Sequence, residues 1–267
     1  MPYADSDGTS LYHERHGSGP AILFVHGSGG HHAAWWQQVA ALRHEFTVIT
    51  LDLRGFGKSA APIPANASGP EFDGQDFPGD VVAVLDAENL TDVMLVGQSI
   101  GSVAALRAAL LRPERVSSVV LGHSLGGISH PELKELAAAD RAEAVRLPVI
   151  DRLLTGRFQQ EHADLTFLFQ QMGTFNVARM QDLRNLDTDG PSLEEIRASG
   201  VRVAFLAGEK DAVLGVKTVT RAHELLPGSH LEIVPGAPHS MYWEAPGPYN
   251  EAIARLRRTL TAPKEAV

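Results

Sequence analysis

The sequence predicts an α/β protein built on a doubly wound, mostly parallel sheet, and three observations carry that prediction. Short apolar runs of strand length alternate with stretches at helical spacing, as strands joined by crossover helices do. Several of the runs, such as Ala21 to Val25 and Val93 to Val96, are apolar throughout, as strands covered on both faces are. Polar or Gly-containing turns begin where these runs stop, which places the chemistry-bearing residues at the C-terminal ends of strands.

In chain order, Ser10 to Arg15 and Ala21 to Val25 read as strands around the turn-rich His16-Gly17-Ser18-Gly19-Pro20. The second runs into the Gly-rich loop His26-Gly27-Ser28-Gly29-Gly30, which lacks the lysine and the spacing of a phosphate loop and suits close approach of a backbone N–H to a ligand. A helix is expected over Ala33 to His44, a strand over Phe46 to Leu51, a long loop over Pro62 to Pro78 and a helix over Asp80 to Asn89. Next comes the strand at Val93, the turn Gly97-Gln98-Ser99-Ile100-Gly101 and a helix over Ser102 to Leu111 closed by Arg112-Pro113. Val116 to Leu121 is a strand. From His130 to about Ser199 helical stretches follow one another without strands: Pro131 to Arg146, Val149 to Phe158, Glu161 to Met172 and Val177 to Leu186. Strand Val201 to Leu206, helix Val216 to Leu226, strand His230 to Val234 and helix Tyr249 to Leu260 complete the chain.

Composition bounds the function. At 267 residues, 44% apolar and 21% charged, the chain is sized for one large core. No stretch approaches the roughly 20 apolar residues that span a membrane. The opening MPYADSDGTSLYHERHG is polar and acid-bearing, unlike a secretory signal, so a cytoplasmic location is expected. A net charge of −9 argues against nucleic acid and anionic membranes as partners. The absence of cysteine excludes disulfides, thiolate metal sites and a cysteine nucleophile.

Ser99 stands at a strand-to-helix junction inside G-x-S-x-G, the place of a nucleophile elbow. A serine hydroxyl needs a base, and the base an orienter. Asp211 and His239 occupy later strand ends, which gives the order Ser99, Asp211, His239. His239 is expected to take and return the Ser99 proton, which an imidazole with an ordinary pKa of about 6.5 does near neutrality. Asp211 is expected to hold its tautomer. One oxyanion donor is expected from the backbone N–H of Ile100 and another from the loop at His26. Gly122-His123-Ser124-Leu125-Gly126 matches the motif a second time, but glycines and Pro131 precede any helix, so Ser124 lacks the elbow context. Asp52 reads as a turn-shaping residue, and Asp187 and Asp189 as loop acids. His26 is expected to fix its loop by hydrogen bonding. His31 and His32 show no third metal ligand in the sequence and read as surface or pocket-rim residues, and no metal or cofactor is expected. Trp35 and Trp36 read as helix-face packing, with one of the two a candidate for the pocket border. Gly29, Trp36, Phe167, Met172 and Trp243 are the candidates for contact with substrate, since ligand pockets are largely apolar.

Five landmarks, HGSGG, DLRGFGKS, GQSIG, GEKDAV and PGAPHSMYWEAP, come in the order and at gaps that resemble the α/β-hydrolase superfamily over essentially the whole chain, and its compact serine hydrolases in particular. The resemblance implies an α/β-hydrolase fold of about eight strands, a core formed by residues 1–127 and 200–267, and a helical lid, 128–199, inserted after the sixth strand. It also implies Ser28 as the second oxyanion donor. A serine in place of an aspartate at the elbow disfavours dehalogenase and epoxide hydrolase chemistry and fits a carboxylesterase acting on a small to medium apolar ester, with water as co-substrate. The lid and HGSGG loop also resemble those of hydrolases that cleave the carbon–carbon bond of ring-fission diketones. Two departures weaken that alternative: Ser240 follows His239 where that group has tryptophan, and the elbow reads Ser99-Ile100-Gly101-Ser102. Thioester, lactone or perhydrolysis chemistry and a triad-bearing small-molecule receptor are further readings. The chain is expected to be a monomer or a homodimer.

Overall fold

The apolar runs pair into strands whose two faces are both buried. In the computed structural model, which describes residues 2–59 and 72–261, ten strands form: β1 (Tyr3–Ser6), β2 (Thr9–His16), β3 (Ala21–Val25), β4 (Thr47–Leu51), β5 (Phe72–Asp73), β6 (Val93–Gln98), β7 (Val116–Gly122), β8 (Leu183–Arg184), β9 (Arg202–Gly208) and β10 (His230–Val234). Eight of them make one sheet in the order β1-β2-β4-β3-β6-β7-β9-β10, and β5 pairs with β8. Within the large sheet β2 is antiparallel to β1 and β4, and every other pairing is parallel. Side-chain alternation divides the interior in two. Leu23, Leu95, Val119 and Val203 point to one core, shared with the helices Phe77–Ala87, Ile100–Leu111 and Val216–Leu225. Ile22, Met94, Val120 and Ala204 point to the other, covered by Trp36–Leu42 and Pro246–Thr261.

Register sets the level of the strand ends. Gln98 pairs with Gly122, and Gly122 with Leu206. The next residues along β6 and β7, Ser99 and His123, therefore emerge side by side, and Ser99 N–H donates to Gly122 O at 2.9 Å. Ser99 adopts φ 53° and ψ −118°, a conformation that non-glycine residues rarely hold. The two flanking glycines make it possible. A Cβ on Gly97 would lie 2.3 Å from Ser102 Cα, and one on Gly101 would lie 2.3 Å from Val25 O and 2.5 Å from His26 O. The helix after the elbow thus presses its first turn against the end of β3.

Several elements differ from the sequence expectation for identifiable reasons. β1 arises from the Asp7-Gly8 turn, where both residues have positive φ, the requirement of a two-residue hairpin. Val177 to Leu186 is not a helix. Val177 and Ala178 N–H both donate to Gly55 O, at 3.0 and 2.8 Å, and β8 pairs with β5, so tertiary partners take the backbone groups a helix would use. The stretch Val149 to Phe158 is two helices, Val149–Leu153 and Gly156–Glu161, separated by extended Leu154 and by the Thr155 N-cap. Leu193–Ser199 is a helix that was not foreseen, started by a Ser192/Glu195 capping box. Of the expected loop 62–78, residues 62–71 lie outside the described residues. Its last part pairs as β5 and begins the helix at Phe77.

The segment between β7 and β9 packs on both cores. Leu133, Ala178, Leu183 and Ile196 join the first, and Leu154, Phe158 and Met172 join the second. Arg54, on the turn after β4, is tied to buried Asp80 by NH2–Oδ1 at 2.6 Å and Nε–Oδ1 at 3.0 Å.

These contacts set the expected stability of three variants. Gly101→Ala is expected to lower stability by about 3 kcal/mol, since only backbone surrounds the new methyl. Gly156→Ala, which meets nothing within 4 Å, is expected to leave the urea midpoint unchanged or raise it. Asp80→Ala is expected to lose about 2 kcal/mol, because it removes the buried partner of a partly buried guanidinium and leaves it only Ser6 and exposed Asp76. Urea unfolding followed by circular dichroism measures all three.

Candidate active site

Six loops meet at the C-terminal edge of the sheet: those after β3, β4, β6, β7, β9 and β10. Ser99, after β6, is half-buried and so within reach of a ligand. It begins the helix Ile100–Leu111, where Ser102 N–H bonds Ser99 O at 3.0 Å and the positive end of the helix favours negative charge in front of it. The loop after β3 lies against the elbow: a Cβ on Gly27 would sit 3.5 Å from Ser99 Cβ. That loop is pinned by His26, whose Nδ1–H donates to Gly27 O at 2.8 Å and whose Nε2 accepts Leu53 N–H at 3.1 Å. Burial pushes the His26 imidazole down to about 4, so it stays neutral and can play both parts. The expectation for His26 agrees with this geometry.

The loops after β9 and β10 bring Asp211 and His239 together. His239 Nδ1 lies 3.0 Å from Asp211 Oδ1 and 2.9 Å from Oδ2, with both residues buried. Asp211 Oδ1 also accepts the N–H groups of Val213 and Leu214, at 2.7 and 3.0 Å. Burial pushes its carboxyl up, but the charge and hydrogen bonds of the two neighbouring imidazoles outweigh burial and hold it well below the usual carboxylate range. Gln98, the residue before Ser99, donates from Nε2 to His239 O at 2.9 Å, joining the elbow to the β10 loop. Among the described residues the Ser99 hydroxyl makes no hydrogen bond.

Two of these residues, Gln98 and His123, were missed in the sequence. His123 Nδ1 is 2.9 Å from Asp211 Oδ2, and its ring stands edge-on to His239 with centroids 5.4 Å apart. The available signal was its position, one step beyond β7 and beside the elbow strand. Ser124 Oγ accepts Gly126 N–H at 3.1 Å, an ordinary turn contact, and no helix follows, which agrees with setting the second motif aside.

The other candidates divide. A Cβ on Gly173 would lie 3.5 Å from Gly29 O, so the end of the helix Ala163–Met172 abuts Gly29 and brings buried Met172 near the loop. Trp243 is buried, donates from Nε1 to Leu165 O at 3.2 Å and packs edge-on to Trp36 and to Phe169, with ring centroids 6.5 and 5.4 Å away. Trp35 is fully buried in the second core and Trp36 is 48% exposed. Phe167 is 62% exposed and is not brought to the cluster. Two residues is about 200° around a helix, so Phe169, not Phe167, is the aromatic that turns inward. The residues beside His239 are held by the preceding helices: Ser240 N–H donates to Leu153 O at 2.9 Å, and Glu244 accepts from Thr155 N–H and Oγ1 at 2.8 and 2.6 Å. Asn176 donates to Gly30 O at 3.1 Å and accepts Gly57 N–H at 2.9 Å.

Two groups place three possible metal-ligand atoms within 4.8 Å of one another: His31, His32 and Asp52, and His123, Asp211 and His239. The third partner absent from the sequence reading of His31 and His32 is thus Asp52, and His31 is buried rather than at the surface. In both groups hydrogen bonds already engage the carboxylate. Asp52 accepts His32 Nδ1–H at 2.8 Å and Lys58 N–H at 2.8 Å, which matches its expected part in shaping the turn. No helix among the described residues is long and apolar enough to cross a membrane.

Known proteins share this architecture. An uncharacterised protein of Mycobacterium tuberculosis is 30% identical over 93% of this chain and 78% of its own length. A thermophilic esterase from Thermogutta terrifontis superposes with a TM-score of 0.77 at 23% identity, over 97% of this chain and 98% of its own. The enol-lactonase from Burkholderia xenovorans LB400 superposes with a TM-score of 0.76 at 21% identity, over 97% and 100%. A family model described as the alpha/beta hydrolase fold matches residues 20–246, and the eight-stranded, mostly parallel sheet with helices on both faces is the one the five sequence landmarks imply: the chain belongs to the α/β-hydrolase fold family.

Proposed function

We propose that the chain is a serine hydrolase that cleaves a carboxylic ester of a small to medium apolar substrate through an acyl-enzyme on Ser99. The observation that carries the reading is the buried Asp211–His239 pair on the loops beside a positive-φ serine at the elbow. In this reading Ser99 Oγ attacks the ester carbonyl carbon and its proton passes to His239 Nε2. The Asp211 carboxylate holds the proton on Nδ1 and stabilises the imidazolium. The oxyanion accepts hydrogen bonds from Ile100 N–H, at the head of the helix, and from Ser28 N–H, each worth about 3 kcal/mol of the barrier. Collapse returns the proton from His239 to the departing alkoxide. Water then attacks the acyl carbon, gives its proton to His239, and the second collapse releases the acid and restores Ser99. The Ser99–His239 hydrogen bond forms as substrate settles.

Residues 128–199 act as the lid over this site, with Met172 and Gly29 lining its inner wall and Trp243 behind them. Ester cleavage is preferred over carbon–carbon cleavage on the residues themselves: Ser240 follows His239 where the ring-fission hydrolases have tryptophan, and the elbow reads Ser99-Ile100-Gly101-Ser102.

Steady-state hydrolysis of p-nitrophenyl esters, acetate through decanoate, tests the proposal. Ser99→Ala and His239→Ala are each expected to reduce kcat/KM by about a thousandfold or more, while Ser124→Ala keeps most of it. The chain-length optimum sizes the acyl pocket. Loss of activity in a folded Ser124→Ala protein overturns the elbow assignment, and no turnover on any ester overturns the ester reading and makes a ring-fission diketone the next substrate.

A further inference from the structure

One carboxylate, Asp211, serves two histidines. The proposal above uses only His239, and His123 is without a part in it. Its side chain is fully buried, with Nδ1 at 2.9 Å from Asp211 Oδ2 and Nε2 buried without a hydrogen-bond partner among the described residues. This asymmetry settles how its proton is placed. A carboxylate only accepts, so Nδ1 must carry the hydrogen. Nε2 then remains a bare lone pair, because a hydrogen there would be a buried donor with nothing to receive it. His123 is therefore a neutral imidazole that donates one hydrogen bond to Asp211. Burial pushes its pKa down, and the neighbouring carboxylate offsets this only in part.

We infer that His123 is a positioning residue for the hydrolytic site: its Nδ1–H occupies a lone pair of Asp211, fixes the carboxylate plane toward His239, and keeps His239 less basic than a sole partner of that carboxylate would be. The inference rests on the proposed roles of Asp211 and His239. Its physical basis is competition for one negative charge. Each hydrogen bond donated to the carboxylate spreads that charge, and less is left to stabilise an imidazolium on His239. The groups that face Asp211 are few. His123 and His239 are the titratable ones among the described residues, and Val213 and Leu214 supply uncharged N–H donors. His123 itself faces Asp211 and His239.

The backbone at His123 has φ 55°, which limits the useful variants. Asparagine tolerates that conformation and places its amide N–H near the position of Nδ1. Glycine tolerates it and carries no donor. Leucine fills the volume without a donor and carries the same positive-φ strain that the native histidine bears there. Two readouts apply to His123→Asn, His123→Gly and His123→Leu: the acid limb of kcat/KM for p-nitrophenyl acetate, and the His239 pKa from an NMR titration, with its resonance identified by its loss in His239→Gln. In the glycine and leucine variants both are expected to move up by about one pH unit, with wild-type values restored in the asparagine variant. A merely structural role lowers kcat without that upward shift. The inference is overturned when the donor-free variants leave the His239 pKa unmoved or lower it, or when asparagine fails to restore it. If wild type turns over no ester, the reaction proposed above fails on its own, and the NMR titration still decides the part played by His123.

Discussion

The structure depends on one close approach. For Ser99 to stand clear of the sheet, the helix after it must start within a few ångströms of the end of β3, and that is possible only where the chain has no side chains. Gly97 and Gly101 leave the gap, and the backbone atoms of Val25, His26 and Ser102 fill it. The same contact places the head of the helix beside the loop at Gly27, so the strained serine and the positive helix end beside it are products of one packing event. The strain at Ser99 is held by a buried helix on one side and by β7 on the other, through its N–H bond to Gly122.

Around that contact the site is assembled from strand ends brought level by parallel pairing. Parallel register does for polar groups what alternation does for the core. It sorts them by position along the strand, so that Ser99, His123, Asp211 and His239 share one edge although they span most of the chain. Side chains at this edge tie the loops to one another: Gln98 reaches the β10 loop, His26 the β4 loop and half-buried Asn176 two turns at once.

What was legible in the sequence was local. The elbow, the loop of HGSGG and the turns around Asp211 and His239 are each read within a few residues, because glycine, proline and a preceding apolar run fix a turn by themselves. His123 and Gln98 were not legible because their partners are set by inter-strand register, which a single chain does not display. Val177 to Leu186 has helical spacing, yet Gly55 and β5 offer its backbone better partners, and propensity gives way to tertiary contact. The run from Leu165 to Phe169 is apolar on nearly every face, so its phase was undetermined, and the structure turns Phe169 inward and Phe167 outward. The hairpin of β1 was available in Asp7-Gly8 and went unread.

The clamp between Leu153–Thr155 and Ser240–Glu244 has a mechanical meaning. Two segments joined by several hydrogen bonds keep their relative position, and a residue adjoining one of them is held by both. Here residues adjoining His239 are fastened to residues 153–155 by three hydrogen bonds and to Leu165 by the ring of Trp243. The position of the imidazole is therefore tied to the position of a segment far from it in the chain, and a substitution at Thr155 or Leu153 acts on His239 through these bonds and not through the sheet.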